Sequence, residues 1–117
     1  MKVLLVDDEK EFVSALAERL SFRSVDADWA VSGEAALKMA EETHYDLAVL
    51  DVKMPGLGGI ELRKQLHGMH PHMKFIFLTG HGSQEDFKVG SEEAAFYLAK
   101  PLKIEDLIHK IKETLNL

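Results

Sequence analysis

The sequence predicts an α/β domain in which helices cover both faces of a parallel five-stranded sheet. Short apolar runs alternate from end to end with amphipathic stretches of helical period, and the apolar runs stop at polar residues. No Pro-, Gly- or Ser-rich linker interrupts this alternation, so residues 1–117 are predicted to form a single domain. Strands that alternate with helices form parallel sheets through right-handed crossovers, and the expected fold is therefore doubly wound.

The first half of the chain predicts three strands and two helices. Residues 3–6 are uniformly apolar, as in a strand covered on both faces, and residues 10–22 carry apolar side chains at helical spacing. In 25–30 apolar residues alternate with aspartates, which is typical of a half-exposed edge strand. Ser32 can cap a helix that runs to about Thr43. Residues 47–50 form a second fully apolar strand.

The second half continues the same alternation. A loop containing Pro55 and two adjacent glycines precedes a helix with an apolar stripe, which Pro71 ends. The remaining predicted elements are strands over 75–78 and 95–99 and a strongly amphipathic helix over 104–115. A helix is also predicted over 84–90, where the helical pattern is weak.

Composition excludes several classes of protein. The absence of cysteine excludes disulfides and thiolate zinc sites, and no apolar run approaches the ~18 residues of a membrane span. Asp7, Asp8 and Glu9 interrupt any signal peptide at once. A net charge of −6, without a basic run longer than a pair, argues against direct nucleic-acid binding. We expect a soluble cytoplasmic protein with neither nucleic acid nor membrane as a partner.

Polar residues follow four of the five predicted strands. Asp7 and Asp8 follow the first strand, Asp51 the third, Thr79 the fourth and Lys100 the fifth. The carboxyl ends of parallel strands meet at one edge of the sheet, where ligands bind. We therefore expect these residues to converge. Taken singly, each has an ordinary structural interpretation, such as a helix start, a turn or a surface lysine; their joint placement is what favours chemistry.

Three carboxylates at one edge need a positive partner. Two unit charges ~4 Å apart repel by about 4 kcal/mol at an effective dielectric constant near 20. A hard divalent cation with oxygen ligands, Mg²⁺, fits such a pocket and leaves open positions for a phosphoryl group. Lys100 adds a second positive charge and Thr79 a hydroxyl donor. The pattern predicts a phosphoryl-transfer site with an aspartate nucleophile.

These segments closely resemble the receiver domain of two-component response regulators, and the resemblance extends over essentially the whole chain. It is carried by the paired aspartates 7–8, Asp51 with the sequence VKMPG after it, LTG at 78–80 and YLAKP at 97–101. The resemblance implies a flavodoxin-like strand order, 2-1-3-4-5. It also implies that Asp51 accepts a phosphoryl group from a histidine of a sensor kinase or of a phosphotransfer protein.

The resemblance further assigns roles to the site residues. Asp8, Asp51 and the backbone carbonyl of Lys53 would ligate Mg²⁺, with Asp7 nearby and acting through water. Thr79 and Lys100 would contact the phosphoryl group, and Tyr97 would turn into the space that Thr79 vacates. Without the resemblance, a tyrosine at this position is more often core or edge-strand packing than a switch.

That movement would change the surface formed by the helix over 84–90, the last strand and the last helix. The changed surface would control a downstream protein or effector domain, and a phosphorylation-dependent homodimer is a further option. The protein would promote only its own phosphorylation and dephosphorylation.

Two other functions remain open at this point. One is a Mg²⁺-dependent phosphohydrolase that works through an aspartyl phosphate, although Lys53 stands where many such enzymes carry a second acid. The other is an unphosphorylated pseudo-receiver that binds a partner or a small molecule.

Overall fold

A computed structural model of the chain describes residues 1–80 and 96–117. Strands and helices alternate along residues 2–79, and a further strand and helix lie in 96–117. The elements are β1 Lys2–Val6, α1 Lys10–Ser21, β2 Asp26–Ala30, α2 Gly33–Glu42, β3 Leu47–Asp51, α3 Gly59–Met69, β4 Lys74–Thr79, β5 Phe96–Ala99 and α4 Ile104–Thr114. The helix predicted over 84–90 lies outside the described residues. The other predicted elements are present, with ends that differ by one or two residues.

The five strands form one parallel sheet in the order β2-β1-β3-β4-β5. This order confirms the doubly wound, flavodoxin-like fold. Val6 aligns with Leu50 across β1 and β3, and Thr79 aligns with Ala99 across β4 and β5. The residues that follow these strands consequently meet at one side of the sheet, which we call the carboxyl edge.

Two apolar layers hold the helices on the sheet. On one face α2 and α3 pack against β1, β3 and β4, with Leu4, Leu50, Phe77 and Leu66 in the layer. On the other face α1 and α4 pack against the alternate residues of the same strands. Because β1 and β3 are covered on both faces, their continuous apolar runs are fully buried, as the sequence predicts.

The exposure of β2 and the start of α2 agree with the predictions from neighbouring residues in the sequence. Among the described strands, β2 pairs with β1 alone, and its residues are mostly half-exposed, which confirms the edge-strand prediction. The Ser32 hydroxyl accepts a hydrogen bond of 3.1 Å from the Ala35 N–H and so caps α2, also as predicted. No helix in the described ranges is long and apolar enough to cross a membrane.

Candidate functional site

The turn after β1 fixes the two aspartates that follow this strand. The Asp7 N–H donates to the Ala30 carbonyl at 3.1 Å, and Asp7 Oδ1 accepts from the Glu9 N–H at 2.9 Å. These bonds hold Asp7 in the interior, at 1% exposure, whereas Asp8 faces solvent. One acid is therefore rigid and buried, and its neighbour is accessible.

The structure brings three carboxylates together at the carboxyl edge. One oxygen from each of Asp7, Asp8 and Asp51 lies within 4.8 Å of the other two. Asp51 is the last residue of β3, and its side chain is only 8% exposed. We call these three residues the acid cluster. Because all of its donors are carboxylate oxygens, the acid cluster suits a hard cation such as Mg²⁺.

Lys100 supplies the positive charge beside the acid cluster. Its Nζ lies 2.7 Å from Asp7 Oδ2, 3.1 Å from Glu9 Oε1 and 4.0 Å from Asp51 Oδ2. The ammonium also sits 4.8 Å from the centre of the Phe12 ring. Burial alone would lower the pKa of Lys100, but hydrogen bonds with Asp7 and Glu9 raise it above its usual value. Lys100 therefore stays charged.

One ammonium does not balance the acid cluster. Burial, and then the charge of Asp7, raise the pKa of Asp51 to about 6, although Lys100 acts in the opposite direction. A neighbouring backbone N–H, that of Lys53, donates to the Asp51 carboxylate and also opposes the rise. The ionised carboxylate of Asp51 is therefore destabilised by its surroundings. A further positive charge nearby would stabilise this ionised form.

Thr79 and Tyr97 lie on the same face of the sheet, in the neighbouring strands β4 and β5. Thr79 is buried at the end of β4, and its hydroxyl donates to the Leu98 carbonyl at 3.4 Å, a long hydrogen bond. Tyr97 aligns with Phe77, two residues before Thr79, and the two rings meet edge to face at 6.1 Å. Because Phe77 and Thr79 share a face, Tyr97 is a diagonal neighbour of Thr79. The Tyr97 ring therefore packs against Phe77, and its role as a switch stays a prediction.

Sequence reasoning missed two residues of the site, Glu9 and Gly59. Glu9, considered above only as a charge, contacts Lys100 across 91 residues of chain. Gly59 begins α3 so close to β3 that a Cβ there would lie 2.1 Å from the Asp51 carbonyl oxygen. The sequence shows Glu9 only as a third acid next to Asp7 and Asp8, and Gly59 only as the second of two adjacent glycines where α3 begins.

Comparisons with known proteins agree on a single family. A model of the response regulator receiver domain matches residues 3–112. The chain is 38% identical over 116 residues to the transcriptional regulatory protein CpxR of Klebsiella pneumoniae, with 98% of this chain and 49% of CpxR covered. It is 37% identical to the alkaline phosphatase synthesis transcriptional regulatory protein PhoP of Bacillus subtilis, with 98% and 48% covered. The chain spans about half the length of these curated relatives.

Solved structures give the same result. A CheY-like receiver domain protein from Methanospirillum hungatei matches with a TM-score of 0.91 and 32% identity, with 98% of this chain and 93% of that chain covered. The response regulator protein TrrA of Thermotoga maritima, solved in complex with Mg(2+)-BeF, matches with a TM-score of 0.85 and 33% identity, with 97% of each chain covered.

Proposed function

The chain belongs to the response regulator receiver domain family, and from this premise we propose that Asp51 is the phosphoryl acceptor of a signalling switch. The donor is a phosphohistidine on a sensor kinase or phosphotransfer protein. In the transfer, an Asp51 carboxylate oxygen attacks phosphorus, the phosphorus–nitrogen bond breaks, and its electron pair stays on the imidazole. Residues 1–117 act as one domain in this proposal.

The observation that carries the proposal is the placement of Asp51. It is a buried, electrostatically strained carboxylate beside two further acids and one ammonium. Asp8, Asp51 and the backbone carbonyl of Lys53 would hold Mg²⁺, with Asp7 acting through water. When bound, Mg²⁺ would neutralise charge on the acids and on the phosphoryl oxygens. Lys100 would donate to a phosphoryl oxygen, a role that its charge and its 4.0 Å distance from Asp51 Oδ2 support.

Thr79 and Tyr97 would convert phosphorylation into a change of surface. The hydrogen bond from Thr79 to Leu98 is long, so a phosphoryl oxygen, which is a stronger acceptor, can take the hydroxyl over. Tyr97 would then move into the space beside Thr79 and alter the surface near β5 and α4. A tenfold shift in population needs only about 1.4 kcal/mol, within the reach of one charge-assisted hydrogen bond.

The output of the switch is a downstream protein or an attached effector domain. The two curated relatives named above, CpxR and PhoP, are about twice as long as this chain, and both are transcriptional regulatory proteins. We extend the proposal to a phosphorylation-dependent homodimer and to the cytoplasmic location expected from the sequence. The family match does not favour a phosphohydrolase of other substrates or an unphosphorylated pseudo-receiver, and we propose that the chain catalyses only its own phosphorylation and dephosphorylation.

Acetyl phosphate, a small phosphodonor, tests the proposal. With Mg²⁺ present, we expect intact-mass spectrometry to show one phosphoryl adduct on the protein. Asp51→Asn should abolish this adduct, and a chelator should suppress it. Asp26→Asn is the matched control, because it removes an exposed aspartate at the opposite side of the sheet. No adduct on the wild-type protein, or an equal adduct on Asp51→Asn, would overturn the proposal.

A further inference from the structure

Glu9 occupies the N-cap position of α1. The helix begins at Lys10, and Ser, Thr, Asp or Asn at the preceding residue would accept a hydrogen bond from the first turn. Within the described part of the chain the Glu9 side chain makes no such bond. Its carboxylate reaches Lys100 instead, with Oε1 3.1 Å from Nζ. The position therefore holds a residue that caps poorly and whose carboxylate instead contacts a side chain at the site, although another residue type here would stabilise the start of the helix.

The backbone of Glu9 is held in place by the site itself. Its N–H donates to Asp7 Oδ1 at 2.9 Å, while the other oxygen of Asp7 lies 2.7 Å from Lys100. Asp7, Glu9 and Lys100 therefore form a closed triangle of contacts. Lys100 lies closer to both Asp7 and Glu9 than to Asp51, at 4.0 Å. In this state the ammonium is held on the Asp7 and Glu9 side of the pocket.

A divalent cation bound at the acid cluster would affect Glu9 less than it would affect Asp7 and Asp51, the other two partners of Lys100. Asp7 and Asp51 belong to the acid cluster, so a bound divalent cation would reduce their attraction for the ammonium. The clustered oxygens in the described residues are those of Asp7, Asp8 and Asp51, and Glu9 contributes none. Glu9 would therefore keep its full charge and its hold on Lys100.

We propose that Glu9 is a positioning residue that restrains Lys100 and competes with the phosphoryl group for its ammonium. This inference rests on the proposed function, in which Lys100 contacts the phosphoryl oxygens. Releasing Lys100 from Glu9 should strengthen the binding of a phosphoryl-like anion at Asp51. Because the Glu9 side chain is 66% exposed, the pair is partly screened, and the expected gain is about two- to fivefold in affinity.

The dissociation constant of beryllofluoride in the presence of Mg²⁺ measures this gain without any turnover. The variants are Glu9→Gln, which removes the charge, and Glu9→Asp, which keeps the charge but shortens the reach and can cap α1. Both should bind beryllofluoride about two- to fivefold more tightly than the wild type. Glu11→Gln, at an exposed position of the same helix, is the control for net charge and should bind as the wild type does.

A double-mutant cycle identifies the route of the effect. In a Lys100→Met background, Glu9→Gln should no longer improve beryllofluoride binding, because the restrained group is absent. A gain that persists there, a Glu9→Asp variant that binds like the wild type, or a loss of affinity in Glu9→Gln would each overturn the inference and leave Asp51 phosphorylation standing. Failure of the wild-type protein to bind beryllofluoride at all would overturn both proposals.

Discussion

The two ends of the parallel strands each carry a lysine surrounded by acids, but these charges are exposed to solvent at one end and buried at the other. The opposite side of the sheet, where β1 and β2 begin, is called the amino edge. There Lys2 Nζ lies 3.2 Å from Asp26 and 3.9 Å from Asp28, and the Tyr45 hydroxyl donates to Asp28 at 2.7 Å. At the carboxyl edge, Lys100 meets Asp7, Glu9 and Asp51. The side chains of Lys2 and Asp28 are 35% and 37% exposed, whereas those of Asp7 and Asp51 are 1% and 8% exposed.

This difference in burial separates a cluster suited to a structural role from the cluster at which we propose phosphoryl transfer. The charged side chains at the amino edge are partly exposed to solvent, which screens them. Burial together with the Asp28 hydrogen bond raises the pKa of Tyr45, which keeps it a neutral donor. Carboxyl-edge charges lack that solvation, so their repulsion persists until a cation or a proton arrives. Ion-pair geometry is similar at the two edges, so the uncompensated buried charge is the feature on which the proposal for the carboxyl edge depends.

The largest expected effect tests how tightly the carboxyl edge is packed. Gly59→Ala would place a Cβ 2.1 Å from the Asp51 carbonyl oxygen, so the backbone must shift, at a cost of about 3 kcal/mol in the free energy of unfolding. Gly68→Ala, near the amino-edge end of the same helix, meets no atom within 4 Å and should stabilise the protein by about 0.5–1 kcal/mol. Urea denaturation measures both; equal effects would remove the contrast in packing.

Magnesium should stabilise the protein only through the carboxyl edge. At a Mg²⁺ concentration 100 times its Kd, linkage predicts an increase of about 2.7 kcal/mol in the free energy of unfolding. Asp7→Asn and Asp51→Asn should lose most of this increase, and Asp26→Asn should retain it. Thermal unfolding with and without Mg²⁺ gives the comparison. If Asp26→Asn lost the stabilisation by Mg²⁺, the ion would bind near Asp26 and not at the acid cluster.

The pH dependence of stability should carry the signature of Asp51. In the metal-free protein its pKa is raised to about 6, so the folded state binds more protons than the unfolded state between about pH 4 and 6. The contribution of Asp51 to stability therefore falls as pH rises through this window. Relative to the wild type, Asp51→Asn should gain about 2 kcal/mol between pH 4 and pH 8. Urea titrations at both pH values measure the gain, and pH-independent differences would contradict the raised pKa.

The smallest expected effect belongs to the amino edge. Lys2→Met breaks two exposed ion pairs and should cost less than about 1 kcal/mol in the free energy of unfolding. The variant should accept a phosphoryl group from acetyl phosphate as fast as the wild type does. Lys100→Met, which removes the equivalent charge from the buried edge, should be phosphorylated much more slowly. Similar rates in the two lysine variants would erase the distinction between the edges.

Most of the fold and much of the site are encoded locally. The apolar runs of β1 and β3, the alternation in β2 and the Ser32 cap each depend on neighbours in the sequence, so their patterns predict them. The convergence of Asp7, Asp8 and Asp51 follows from a general rule for parallel sheets. The strand order came from the resemblance to a known family.

Contacts between distant side chains were not predictable in the same way. The pairing of Glu9 with Lys100 depends on rotamers of two long side chains from separate loops. The close approach of Gly59 to Asp51 depends on the path of the loop between them, and the direction of the Thr79 hydroxyl depends on a carbonyl in β5. None of these leaves a periodic signal in the sequence.

The central claim is that the phosphoryl group resides on Asp51, and chemical trapping tests it most directly. Sodium borohydride reduces an acyl phosphate to an alcohol, which converts a phosphorylated aspartate to homoserine. After treatment with acetyl phosphate, Mg²⁺ and borohydride, we predict homoserine at position 51 alone in the peptide mass spectra. Homoserine at position 7, 8 or 26, or none at all, would contradict the account.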